Sequence, residues 1–105
     1  MSNRQSRAKA RLRNGVISVR AILEHPMETG SRQDPVSGDL IPRNYIQQVV
    51  CEHNDKVVLT LDWGWGISKN PYLAFEIPDG RPGDIVRLSW VDNQHQSGSV
   101  EAQVG

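Results

Sequence analysis

The chain has 105 residues, with 12 basic and 12 acidic side chains and no net charge when histidines are neutral. That length fits one domain, residues 1–105, and the charge balance leaves no overall field to draw it onto nucleic acid or a membrane. A lone cysteine, Cys51, excludes an internal disulfide and any zinc site of several thiolates, and no apolar run approaches the ~20 residues of a membrane span.

Period-two alternation of apolar and polar residues recurs along the chain, which predicts half-buried strands. Residues 1–5 are expected to form a flexible end. From Ser6, the residues Ala8, Ala10 and Leu12 face inward and Arg7, Lys9, Arg11 and Arg13 outward. Asn14-Gly15 signals a turn, and Ile17, Val19, Ala21 and Leu23 then form an inward set. A long irregular connection follows from His25 to Arg43, stiffened by Pro26, Pro35 and Pro42. Connections of this length inside a compact domain are usually either functional or disordered, and the prolines stiffen this one, so recognition is expected there.

Beyond it, Tyr45, Val49 and Cys51 share one parity, and Ile46, Val50 and Glu52 the other. His53-Asn54-Asp55 suits a tight hairpin, and Val57, Leu59, Leu61 and Trp63 make the next inward face. Gly64-Trp65-Gly66 leads to Leu73, Phe75 and Ile77, then a turn over Pro78–Gly83, then Val86, Leu88 and Trp90. Asp92-Asn93 starts a further turn, and Val100, Ala102 and Val104 close the chain. The pattern predicts an all-β, immunoglobulin-like antiparallel β-sandwich of about seven strands, without the paired cysteines of antibody domains.

No motif for phosphate binding, zinc hydrolysis or a serine nucleophile occurs, and no cofactor or metal is expected. His25, Met27, Cys51 and His53 are the ligand types of a blue-copper centre, and such centres occupy β-sandwiches. Their spacing departs from the cupredoxin pattern, which gathers the ligands on one late loop, so a copper redox protein stands as the alternative, beside a generic protein-interaction domain. Cys51 falls in phase with Val49, as a packing cysteine would. The cations of the first strand could grip phosphates, but with no stacking aromatics on that strand they read rather as a charged sheet edge that blocks aggregation, or as a surface for an acidic partner. Trp63 and Trp90 fit the core; Trp65 forms either an apolar patch with Tyr72 and Met27 or a plug beneath its loop.

Three segments together resemble the SoxZ family: H-P-M-E-T-G at 25–30, I-P-R at 41–43 and S-K-N-P-Y-L-A-F at 68–75. The Leu61-Asp62-Trp63 and Trp90-Val91-Asp92-Asn93 segments fit as well. The resemblance implies an immunoglobulin-like, non-catalytic subunit of the SoxYZ sulfur-carrier complex of bacterial thiosulfate oxidation. In that complex SoxY carries sulfur covalently on the cysteine of a C-terminal Gly-Gly-Cys-Gly-Gly arm. The implied partners are SoxY, in a tight heterodimer, and transiently the other Sox enzymes; a subunit deprived of SoxY can pair with itself through the orphaned interface. The implied compartment is the periplasm. The N-terminus M-S-N-R-Q-S-R-A-K-A-R has neither apolar core nor twin-arginine pair, so export together with a signal-bearing partner is expected. Partner contacts are expected at His25, Met27, Glu28 and Arg43 on the long loop and at Asn70, Pro71 and Tyr72 on a second one; the structural readings are a Glu28–Arg43 pair, turns shaped by Pro26, Asn70 and Pro71, and His25 as a loop-fixing hydrogen-bonder.

Overall fold

A computed structural model describes residues 6–105; the end expected to be flexible, residues 1–5, lies outside the described residues. Seven strands follow in order: β1 (Arg7–Arg13), β2 (Val16–Ile22), β3 (Ile46–His53), β4 (Lys56–Asp62), β5 (Tyr72–Ile77), β6 (Ile85–Asp92) and β7 (Ser97–Gln103). All pairings are antiparallel, in a three-stranded sheet β1-β2-β5 and a four-stranded sheet β4-β3-β6-β7. The sandwich is immunoglobulin-like, with the fourth strand beside the third, whereas constant-type domains place it in the opposite sheet.

Alternation builds the core as the sequence predicts. Ile17, Val19, Ala21 and Leu23 from one sheet meet Val49, Cys51, Val86 and Leu88 from the other, all buried. Each large aliphatic side chain so enclosed contributes about 1.5–3 kcal/mol. Leu73, Ile77 and Val104 complete the layer, with Phe75, Trp63 and Trp90 packed half-buried against it. Two-residue turns close the β1–β2 and β3–β4 hairpins. Asn14 and Gly15, like Asn54 and Asp55, take the positive φ that such turns require, which suits the Asn-Gly pair.

Two bulges correct the expected parity. The β3–β6 register shifts between Ile46 and Gln48, so one extra residue brings Ile46 to the buried face with Val49 and Cys51. On the other side of β3, Cys51 faces Leu59 and Glu52 faces Val57, leaving Val58 without an opposite residue. Val57 thereby turns outward, against its expected place beside Leu59 and Leu61. A bulge adds one residue to one strand and reverses every side chain beyond it.

The chain passes between sheets through residues 23–45, 63–71 and 78–84. The first two gather with the β6–β7 turn at one end of the sandwich. The third joins the two-residue turns at the opposite end, where the Gly80 amide donates to the Gly15 carbonyl at 2.8 Å.

Candidate interaction site

The long-loop end is organised by His25, which follows β2 and is buried with its partner Asp92. The Met27 amide donates to His25 Nδ1 at 3.1 Å, which leaves the ring proton on Nε2, donated to Asp92 Oδ2 at 3.0 Å. Asp92 Oδ1 accepts the amides of Gln94 (2.9 Å) and Gln96 (2.8 Å), which shapes the β6–β7 turn. Burial alone would raise the Asp92 carboxyl; the His25 bond and the two amides outweigh it and hold the group below its ordinary value. Trp90 presses edge-on against His25, ring centroids 5.1 Å apart. Gly98 lies against the Trp90 indole so closely that a β-carbon there would come within 2.7 Å of it.

The same histidine ties down the second loop. Asn70 Oδ1 accepts the His25 amide at 3.0 Å, and the Asn70 amide donates to the His25 carbonyl at 2.9 Å. Pro71, buried, accepts the Leu23 amide through its carbonyl at 3.0 Å. Met27 is buried too, at positive φ, its sulfur accepting the Ile46 amide at 3.4 Å. The long loop itself is ordered by two isolated bridges, Glu28 with Asn44 and Gln33 with Leu40, and its tip is an Asx turn in which Asp34 Oδ1 accepts the Val36 and Ser37 amides.

Arg43 is where this framework meets solvent. Its carbonyl accepts Asn93 Nδ2 (2.9 Å) and Gln94 Nε2 (3.0 Å), and its own Nε donates to the Thr29 carbonyl at 3.0 Å. Gly30, at φ +88°, makes the room: a β-carbon there would lie 3.3 Å from Arg43 Cβ. The guanidinium rests 4.0 Å above the ring of Trp65, and Tyr45 meets that ring edge-on at 5.8 Å. Trp65 remains 46% exposed between two glycines. Arginine, tryptophan and tyrosine are the side chains that dominate binding energy at protein interfaces.

The expected contact residues thus divide. His25, Met27, Asn70 and Pro71 hold the loops together from within, and Arg43 is presented outward. Glu28 does not pair with Arg43; its carboxylate takes Arg32 in two bonds, and that arginine draws the carboxyl below its usual range. Tyr72, 60% exposed, begins β5 and belongs to the outer face of the other sheet. The expected patch of Trp65 with Tyr72 and Met27 therefore does not form, because Met27 is taken into the core and Tyr72 faces elsewhere. Sequence reasoning missed Tyr45 beside Trp65, Arg32 beside Glu28, and the reach of Asp92 across 67 positions to His25. Only the Glu28–Arg32 pair, four residues apart, left a readable spacing.

The side chains considered for copper are held apart. His53 bonds Asp84 Oδ2 at 2.7 Å at the short-turn end, while His25 is engaged at the other. Among the described residues, no three of His, Cys, Asp and Glu converge to hold a metal ion. Cys51 is 1% exposed, and burial, with the nearby Glu52 charge, pushes its thiol up to about 11. The thiolate that nucleophilic chemistry needs is not populated near neutrality.

The fold and this end define a class: an immunoglobulin-like sandwich whose sole thiol is enclosed and whose recognition-type side chains stand on tied loops. The family model described as "Sulphur oxidation protein SoxZ" matches residues 5–103, and the chain belongs to that family. It is a protein of sulfur oxidation. A search of curated proteins finds no match.

Proposed function

We propose that this chain is the non-catalytic subunit of a sulfur-carrier complex, binding a SoxY-type partner whose mobile cysteine arm bears the sulfur intermediates. The complex would act in the periplasm, assembled before export. Membership of the SoxZ family supports the pathway, and one observation carries the division of labour: Cys51 is enclosed in the core with its thiol raised to about 11. Such a cysteine cannot enter another protein's active site, so the travelling thiol belongs to a companion.

A labile persulfide or S-sulfonate on a swinging arm needs a rigid base. The tied loops around His25 and Asp92 supply rigidity, and Arg43 stacked on Trp65 supplies an exposed, directional contact. Co-expression with the carrier subunit tests the reading. The two are expected to co-elute as a heterodimer, and the isolated chain to turn over no thiosulfate. Arg43→Ala and Trp65→Ala are each expected to weaken the complex by at least about 1 kcal/mol. Turnover by the chain alone, or its failure to co-elute with any carrier, rejects the proposal.

A further inference from the structure

The outer face of the β1-β2-β5 sheet is strongly one-sided in charge, on a chain with no net charge. Arg7, Lys9, Arg11 and Arg13 project from β1, and Arg20 from β2; Glu76 is the one acid among the strand residues facing the same way. Among the described residues, none of these five cations pairs with a carboxylate, although Arg32 and Arg87 both do.

Blocking of strand-to-strand aggregation accounts for charge on β1, an edge strand. It does not account for Arg20. β2 is the central strand of its sheet and has no free edge to protect. The register moreover sets Lys9 directly opposite Arg20, and like charges so placed are destabilising. The face carries that cost with a single acid, Glu76, which pairs with none of the five. An external anion would relieve it.

Shape and neighbours indicate which kind. The surface between Arg11, Arg13, Ser18, Arg20 and Glu76 is concave. At its long-loop end, Ile22 and Tyr72 are exposed beside Arg7 and Lys9 around a shallow apolar depression. Phosphate backbones would use the cations but gain nothing from Ile22, and single strands need several stacking rings where this face has Tyr72 alone. A second copy would set cation against cation. A protein surface with carboxylates around an apolar projection satisfies both parts.

We infer that the outer β1-β2-β5 face is a docking surface for acidic proteins that visit the carrier complex transiently, distinct from the Arg43–Trp65 end. Exposed charge of one sign accelerates encounter and is screened by salt, as repeated brief visits require. The inference rests on the proposed function only in that visiting enzymes act on a carrier held by this chain.

The test uses the complex of this chain with its carrier subunit, comparing wild type with the Arg11→Glu/Arg20→Glu double variant. Co-elution with the carrier is measured first, then kcat/KM of each carrier-dependent sulfur-oxidising enzyme, singly, at low and high salt. Intact co-elution is expected. For at least one enzyme the double variant should lose roughly tenfold or more in kcat/KM at low salt, through KM, with the wild type's salt sensitivity flattened. Unchanged kinetics with every enzyme overturns the inference. Loss of the carrier by the variant alone overturns it too, by making this face the permanent interface. So does wild-type retention of a labelled single-stranded oligonucleotide, abolished in the variant, with enzyme kinetics unmoved. A wild-type chain that never co-elutes with a carrier instead rejects the proposed function. Should the double variant fail to fold, Lys9→Gln/Arg20→Gln, verified by its thermal midpoint, is read by the same criteria with a smaller expected loss.

Discussion

Each end of the sandwich is fastened by a histidine, an aspartate and an asparagine, at different depths. At the long-loop end, His25 and Asp92 have side chains only 3% and 0% exposed, and Asn70 completes the knot. At the short-turn end, His53 and Asp84 are 15% and 14% exposed, and Asn54 Nδ2 donates to Asp84 Oδ1 at 3.0 Å. The buried set must hold irregular chain that hydrophobic packing alone cannot order. The shallower set only clamps turns whose strands are already paired. The same chemistry is therefore structural at both ends, and indispensable at one.

Asp92→Ala should produce the largest effect. It strands His25 in the interior and releases two turn amides, and a loss of about 3–5 kcal/mol is expected in urea unfolding. Asp84→Ala should cost clearly less; equal losses would break the comparison. Gly98→Ala pushes a methyl group into Trp90, which backs His25, and should cost about 1–3 kcal/mol by the same measurement.

Acid acts on both ends. The Asn54 and His53 hydrogen bonds, joined by the Arg81 amide, lower the Asp84 carboxyl from 3.8 to about 2. Because the folded group titrates below the unfolded one, its stabilisation is complete above about pH 4 and disappears as pH falls toward 2. Urea midpoints measured across that window should drop, and Asp84→Asn should flatten its share of the drop. Asp92, also held low, should contribute in the same direction.

Trp65→Ala should barely register in the fold. Its stacking with Arg43 is half-exposed, worth about 0.5–1 kcal/mol, so stability should change little even as carrier binding weakens. Smallest of all is the response of Cys51 to a thiol reagent in native protein. No labelling is expected until denaturant opens the core, as a colorimetric thiol titration would show.

Much of this architecture was legible in the chain. Period-two patterning located all seven strands, and Asn14-Gly15 declared its turn, because one-sided burial imposes alternation directly on composition. The bulges at Ile46–Gln48 and opposite Cys51–Glu52 were not legible, since an extra residue has no chemical signature of its own. The site was read less well. Of the motif at 25–30, His25 was open to a loop-fixing reading, which its bonds match, whereas the inward turn of Met27 and the seat that Gly30 gives Arg43 left no sign in the sequence. Such roles depend on partners from Asn70 and Asp92, which only the folded topology brings near.

The carboxylate of Asp92 joins local contacts to a distant one. One oxygen engages amides two and four residues onward, contacts that a nascent hairpin can make by itself; the other waits for an imidazole 67 positions earlier in the chain. Closure cost grows only with the logarithm of separation, so the distant contact costs about 2–3 kcal/mol more than the local turn. The long loop is thus fastened to a turn that shapes itself locally, and a fault in that turn would reach His25 and the loop 67 positions earlier.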